Sequence, residues 1–160
     1  MSFPNILTAF AAAVCANDGT ALGALFTPEG TYADEFFGCY TGRPAIAEML
    51  QRFHDTGRDY RWDFIDPVRD GDLAYARFRF SFASRVAGCE GKPVMFEGIS
   101  QFRLVGNLIE RYSEAFDRGV ALAQLDFPAE RIKRVVEKAA IAQNASPAAR
   151  AHLDRFATPG

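Results

Sequence analysis

Polar and apolar positions change their period twice along this chain. Phe3, Ile6, Leu7, Phe10 and Val14 recur at helical spacing and make one apolar stripe. They predict a first helix, capped by Ser2, tolerating Pro4 in its first turn and stopped by "NDG" at 17–19. "TALGALF" (20–26) predicts a short second helix ended by Pro28 and Gly30, and "TYAD" (31–34) an opening strand. "GRPAIAEMLQRFHDTG" (42–57) predicts a third helix. Ile46, Met49, Leu50 and Phe53 form its stripe, Glu48 and Arg52 pair one turn apart, and Gly57 ends it.

From Asp59 the period is two. Residues 59–66, 73–84, 93–104 and 107–117 read as long antiparallel strands, with tight turns at "RDGD" (69–72) and "VGN" (105–107). After Pro128 the helical spacing returns in Ile132, Val135, Val136 and Ala139. Ser146 and Pro147 open a last short helix carrying Leu153 and Phe156. Three helices, a strand and a four-strand meander predict an α+β fold, with a curved, mostly antiparallel sheet packed against the N-terminal helices. The expected organisation is one domain over 1–127, with 128–160 as a C-terminal helical extension of it.

Alternation assigns faces. Ala76, Phe78, Phe80 and Phe82 should point to the helices, and Tyr75, Arg77, Arg79 and Ser81 away from them. On the next strand Phe96, Gly98, Ser100 and Phe102 should point in, and Glu97, Gln101 and Arg103 out. On the last, Leu108, Glu110, Tyr112, Glu114 and Phe116 should point in, and Ile109, Arg111 and Ser113 out. Arg79 can then form an outer ladder with Glu97.

This assignment puts two carboxyl groups, Asp34 and Glu114, on otherwise apolar faces. A charge there is costly unless it is paired or lines a cavity. Both should have raised pKa values, so that one can hold a proton while the other takes one. Tyr32, Trp62 and Tyr112 each have an apolar body and a polar tip, which suits a pocket wall. Phe80, Phe96, Ser100 and Phe116 share their face. His54 flanks the stripe of the third helix and is a candidate hydrogen-bond donor.

Composition narrows the field. The 160 residues are 49% apolar and include fifteen Phe, enough for one core. A formal charge of −2 gives no bulk attraction to nucleic acid or an anionic membrane. Cys15, Cys39 and Cys89 lack any CxxC spacing, so neither a disulfide framework nor a zinc site is expected, and a reducing cytoplasm fits. "ILTAFAAAVCA" is apolar like a signal peptide, but no Lys or Arg precedes it and its period is helical. No apolar run approaches the ~20 residues of a bilayer span.

"LFTPEGTYAD", "GRPAI", "DGDLAYARFRF" and "FEGISQFRLVGNLIERYSEAFD" resemble the SnoaL-like, nuclear-transport-factor-2-like superfamily of cone-shaped α+β folds. The resemblance covers about residues 3–127. Within it, "TYADE" is similar to the segment in which ketosteroid isomerases keep their base, with Asp34 at that position. Their two oxyanion donors do not carry over: the positions hold Phe10 and Ser100. The Arg-x-Asp step of limonene-epoxide-hydrolase-like enzymes reads Arg77-Phe78-Arg79. Of the two pocket histidines of scytalone-dehydratase-like enzymes, this chain can offer only His54 and His152, the second in the tail. The nearest pattern is the SnoaL-like one, with an acidic residue on the last long strand, Glu114.

The resulting expectation is a cofactor-independent, metal-free enzyme acting by proton transfer on a small, largely apolar, carbonyl-bearing molecule. It would be an isomerase, cyclase or dehydratase with Asp34 or Glu114 as base and His54, Tyr32 and Tyr112 as orienting groups. The alternative is a non-catalytic ligand-binding or dimerisation module with the same pocket. Tyr75, Met95, Ile99 and Ile109 on the outer sheet face suggest a homodimer through that face.

Overall fold

The computed structural model describes residues 1–156. The chain divides into two compact units, Met1–Leu125 and a second beginning at Asp126. The first contains α1 (Phe3–Cys15), α2 (Gly19–Ala24), β1 (Phe26–Asp34), β2 (Gly38–Thr41), α3 (Arg43–Thr56), β3 (Gly57–Asp70), β4 (Leu73–Ser84), β5 (Pro93–Val105), β6 (Leu108–Phe116) and α4 (Arg118–Gln124). The six strands form one sheet in the order β2-β1-β6-β5-β4-β3. Every neighbouring pair is antiparallel except β1 and β6, which run parallel. The fold is α+β, a curved open sheet of the cone-shaped kind. The second unit holds α5 (Ala129–Asn144), α6 (Pro147–Leu153) and a 3₁₀ turn, Asp154–Phe156. Among the described residues no helix is long and apolar enough to cross a membrane.

Side chains set the helix starts. Ser2 caps α1, Asp18 caps α2 and Asp117 caps α4, each accepting from an amide of the first turn. The α1 stripe is buried over its whole length. Phe10, at its centre, packs against Phe26, Tyr32, Trp62, Phe64, Phe102 and Tyr112, with ring centroids 4.9–6.4 Å away. The Ala76, Phe78 and Phe80 positions of β4 are buried, while Arg77 and Arg79 are exposed. Arg79 bonds Glu97 across to β5 at 2.6 and 2.9 Å. Gly98 faces Phe78 across the β4–β5 ladder. A Cβ on Gly98 would come within 2.6 Å of that ring, so only glycine lets Phe78 lie over the strand.

Four expectations need correction. The second helix ends at Ala24, and Phe26 is already the first residue of a nine-residue β1. A short strand, β2, pairs with β1 as a hairpin that alternation alone does not reveal. A helix, α4, follows β6. On β6 the faces of two residues are reversed: Ile109 is fully buried and Glu110 is exposed. The cause is a bulge. Leu104 pairs with Ile109 but Arg103 pairs with Arg111, which leaves Glu110 as the extra residue. Ile109 therefore leaves the outer face, where Met95 and Ile99 remain exposed.

Candidate active site

β1 and β6 run in the same direction, and Tyr32 pairs with Tyr112 and Ala33 with Ser113. One further step brings Asp34 and Glu114 side by side at the strands' C-terminal ends. Their carboxyl groups are close enough for the ionisation of one to be felt by the other. Two buried carboxyls this near each other are most easily held together when one carries a proton.

The surroundings of the pair come from three elements. Beyond Asp34 the chain turns sharply, and Asp34 Oδ1 accepts the amides of Phe36 and Phe37, each at 2.7 Å. This is an Asx turn, closed by Gly38 at φ +95°. The amide of Glu35 faces the Glu114 carboxyl. From β6, Tyr112 Oη donates to Glu114 Oε2 at 2.7 Å. From β5, Ser100 Oγ lies 3.0 Å from Tyr112 Oη. The Tyr32 ring packs on Tyr112 with centroids 4.5 Å apart. The polar chain thus runs from Ser100 through Tyr112 to Glu114 and Asp34. Its inner members Tyr112 and Ser100 are fully buried, as is the adjoining Tyr32, while Asp34 is 8% exposed and Glu114 partly exposed.

Electrostatics follow from that burial. Desolvation pushes Asp34 from 3.8 up to about 6; the Phe37 and Phe36 amides resist the rise, the Glu35 charge adds to it, and the Glu114 bond opposes it. Desolvation also carries Glu114 well above the usual carboxyl range, helped by the Asp34 charge and opposed by the bond from Tyr112. Burial raises Tyr32 and Tyr112 too, with Glu114 the next cause in each, so both phenols stay protonated and able to donate. Both carboxyls are therefore harder to ionise than free ones, and each charge, once formed, raises the proton affinity of the other.

The aromatic candidates form a continuous wall. Trp62 packs edge-on to Phe80 at 4.8 Å, Phe80 meets Phe96 at 5.4 Å, and Phe96 stacks on Phe116 at 4.3 Å. Phe36 of the turn reaches Phe116 at 5.3 Å. Trp62 Nε1 is buried with no hydrogen-bond partner among the described residues, beside rings that include Phe10, which it meets edge-on. His54 sits elsewhere. Its Nε2 is 2.8 Å from Val14 O at the end of α1, and its ring packs on Tyr60. Among the described residues no hydrogen bond joins it directly to the carboxyl pair. The residues that the sequence reading did not single out are Glu35 and the amides of 35–37. The signal for the amides was present: an Asp followed by "EFFG" is Asx-turn chemistry.

The family model of the SnoaL-like domain matches residues 7–112. The chain belongs to the SnoaL-like family. This SnoaL-like protein is similar to a solved structure from Catenulispora acidiphila with a ketosteroid-isomerase-like fold, in complex with trimethylamine. That match has 27% identity and a TM-score of 0.73, and covers 81% of this chain and 98% of the other. It shares its fold with a candidate polyketide cyclase from Xanthomonas campestris (21% identity, 76% and 95% covered, TM-score 0.62). An LEH-like epoxide hydrolase from M. tuberculosis has the same fold (17% identity, 76% and 86% covered, TM-score 0.62). No curated protein matches by sequence.

Proposed function

We propose that this SnoaL-like protein is an acid–base enzyme that moves a proton on a small, largely apolar carbonyl compound. The observation that carries the reading is the Asp34–Glu114 pair, two buried carboxyls at the ends of neighbouring strands, both raised by burial, with Phe36 of the same turn joining them to the aromatic wall. Near neutral pH the pair holds one proton. Asp34 is the carboxylate and takes a proton from the carbon next to the substrate carbonyl. The C–H electrons move into the new carbon–carbon double bond, and the carbonyl electrons move onto oxygen. Glu114 gives its proton to that oxygen, and Tyr112, bonded to Glu114, supports the charge left on it. Return of a proton to the same or another carbon completes an isomerisation, and closure onto a second carbonyl completes a cyclisation. The Trp62, Phe80, Phe96 and Phe116 wall would hold the apolar body of the substrate. His54, bonded to the α1 backbone, has no part in this scheme.

The test needs no knowledge of the physiological substrate. Cyclic β-diketones, β-keto esters and β,γ-unsaturated ketones are incubated in D2O, and deuterium uptake at the α-carbon is followed by proton NMR. Wild-type protein should accelerate exchange on at least one class, and Asp34→Asn should abolish the acceleration. Exchange no faster than with the D34N/E114Q double variant across the panel would remove the reading.

A second reading is a binding site for a small alkylammonium ion. The trimethylamine complex of the Catenulispora acidiphila protein favours it, because anionic carboxylates among aromatic rings also suit a cation. Calorimetric titration with trimethylammonium chloride separates the two. Binding lost in D34N, with no deuterium exchange, would select the binding module.

For assembly, we infer a homodimer through the outer face of the sheet, where Met95 and Ile99 stand exposed beside the Arg79–Glu97 pair.

A further inference from the structure

The turn that carries Asp34 is held by a charge pair with no part in the reaction scheme. Arg118, the first residue of α4, donates from Nε to Glu35 O at 2.7 Å, and its Nη2 pairs with Glu35 Oε2. The two side chains are only 25% and 29% exposed. Surface pairs such as Arg52–Glu48 are exposed by more than half. Glu35 follows Asp34 directly. Its own amide faces Glu114, and the next two amides bind Asp34. Arg118 therefore grips the turn whose amides serve both carboxyls. The Glu35 charge meanwhile raises the proton affinity of each. The other groups facing the pair are the neutral phenols Tyr32 on β1 and Tyr112 on β6, and the non-titrating Ser100 on β5.

We propose that Arg118 is a positioning residue, which holds the Glu35 turn and neutralises Glu35 beside the Asp34–Glu114 pair, and thereby sets how tightly the pair holds its proton at neutral pH. The pair works as an electrostatic trim. With Arg118 in place, the Glu35 charge is largely spent on the guanidinium. Without it, that charge falls on the two carboxyls. The idea rests on the proton-transfer reading only for its consequence in turnover; the titration of the carboxyls reads it independently.

The experiment is carbon-13 NMR titration of the Asp34 and Glu114 carboxyl carbons in the full chain, with circular dichroism to verify the fold. In Arg118→Gln the uncompensated Glu35 should raise the Asp34 midpoint from about 6 by roughly one pH unit. In Glu35→Gln the like charge is gone and the midpoint should fall. Arg118→Lys keeps the charge without the two-point grip, and its midpoint should stay within ~0.3 of wild type. Shifts of the same sign in R118Q and E35Q, or no shift in either, would overturn the proposal. If R118Q does not fold, E35Q decides alone: a fall supports the trim, and a rise or no change refutes it. Opposite shifts without any deuterium exchange in wild type would leave the trim standing and remove only the catalytic reading.

Discussion

Asp34 should cost this protein stability at neutral pH, and Asp34→Asn should recover it. In the unfolded chain the carboxyl titrates near 3.8; in the folded protein burial moves it to about 6. Between these values the folded protein holds a proton that the unfolded chain has lost. The contribution to stability is complete below pH 3.8 and is gone once the pH has risen past 6. At about 1.4 kcal/mol per pH unit, the native state loses up to about 3 kcal/mol over that window. Asparagine is nearly isosteric and never ionises. Its Oδ1 can still accept the Phe36 and Phe37 amides, and its Nδ2 can face Glu114. Urea unfolding of both proteins at pH 4.0 and 7.5 measures the effect. The stability of D34N minus that of wild type should be near zero at pH 4.0 and about 1–3 kcal/mol at pH 7.5. A difference that does not change with pH, or D34N less stable at 7.5, would mean that Asp34 ionises at no cost and is not the desolvated group described above.

Glu114→Gln should lower α-deuterium exchange by about 10²–10⁴-fold, and the D34N/E114Q double variant should be little worse than the poorer single one, because the two carboxyls act as a unit. Tyr112→Phe removes a bond that favours ionised Glu114 and strands the buried Ser100 hydroxyl. The Glu114 midpoint should rise further in an NMR titration, and stability should fall by about 1–3 kcal/mol. Phe10→Ala, at the centre of the ring cluster, should cost about 3–5 kcal/mol in urea unfolding. Ile99→Asp should shift light-scattering mass from dimer to monomer at micromolar concentration; a monomeric wild type would refute the outer-face assembly.

Period-two alternation was enough to tell the buried Phe78 and Phe80 from the exposed Arg77 and Arg79. The two sides differ so sharply in solvation that a one-residue slip would bury guanidinium groups. The same argument turned Tyr112 and Glu114 inward correctly. It misplaced Ile109 and Glu110 because a bulge is a property of two paired strands, and the sequence of one strand does not contain it. "GCYT" (38–41) is too short and too polar to announce a strand; its order comes from the β1 edge. The flank position of His54 was legible, but its partner was not: Val14 O lies in the last turn of α1, where it takes a long bond from the Asn17 amide at 3.3 Å and has room for the imidazole. Arg118 and Glu35 lie 83 positions apart. Nothing local to either marks the contact, and it exists only once β6 has delivered α4 to the turn.

The extra residue at Glu110 also bears on how this architecture can change over generations. It divides β6 into two segments with independent phase: the half nearest the hairpin loop keeps Leu108 and Ile109 in step with Val105 and Leu104, and the half bearing Tyr112 and Glu114 keeps step with Phe102 and Ser100. Length changes on the loop side can be absorbed at the joint without turning the two functional side chains over. Loss of Glu110 itself would leave Ile109, Arg111 and Tyr112 in simple alternation, with the same side chains inward. A one-codon insertion or deletion between Arg111 and Glu114 has no such buffer and would rotate the acid out of the site in a single step. The hairpin between β5 and β6 is thus where this chain can tolerate indels, and the four residues beyond the joint are where it cannot.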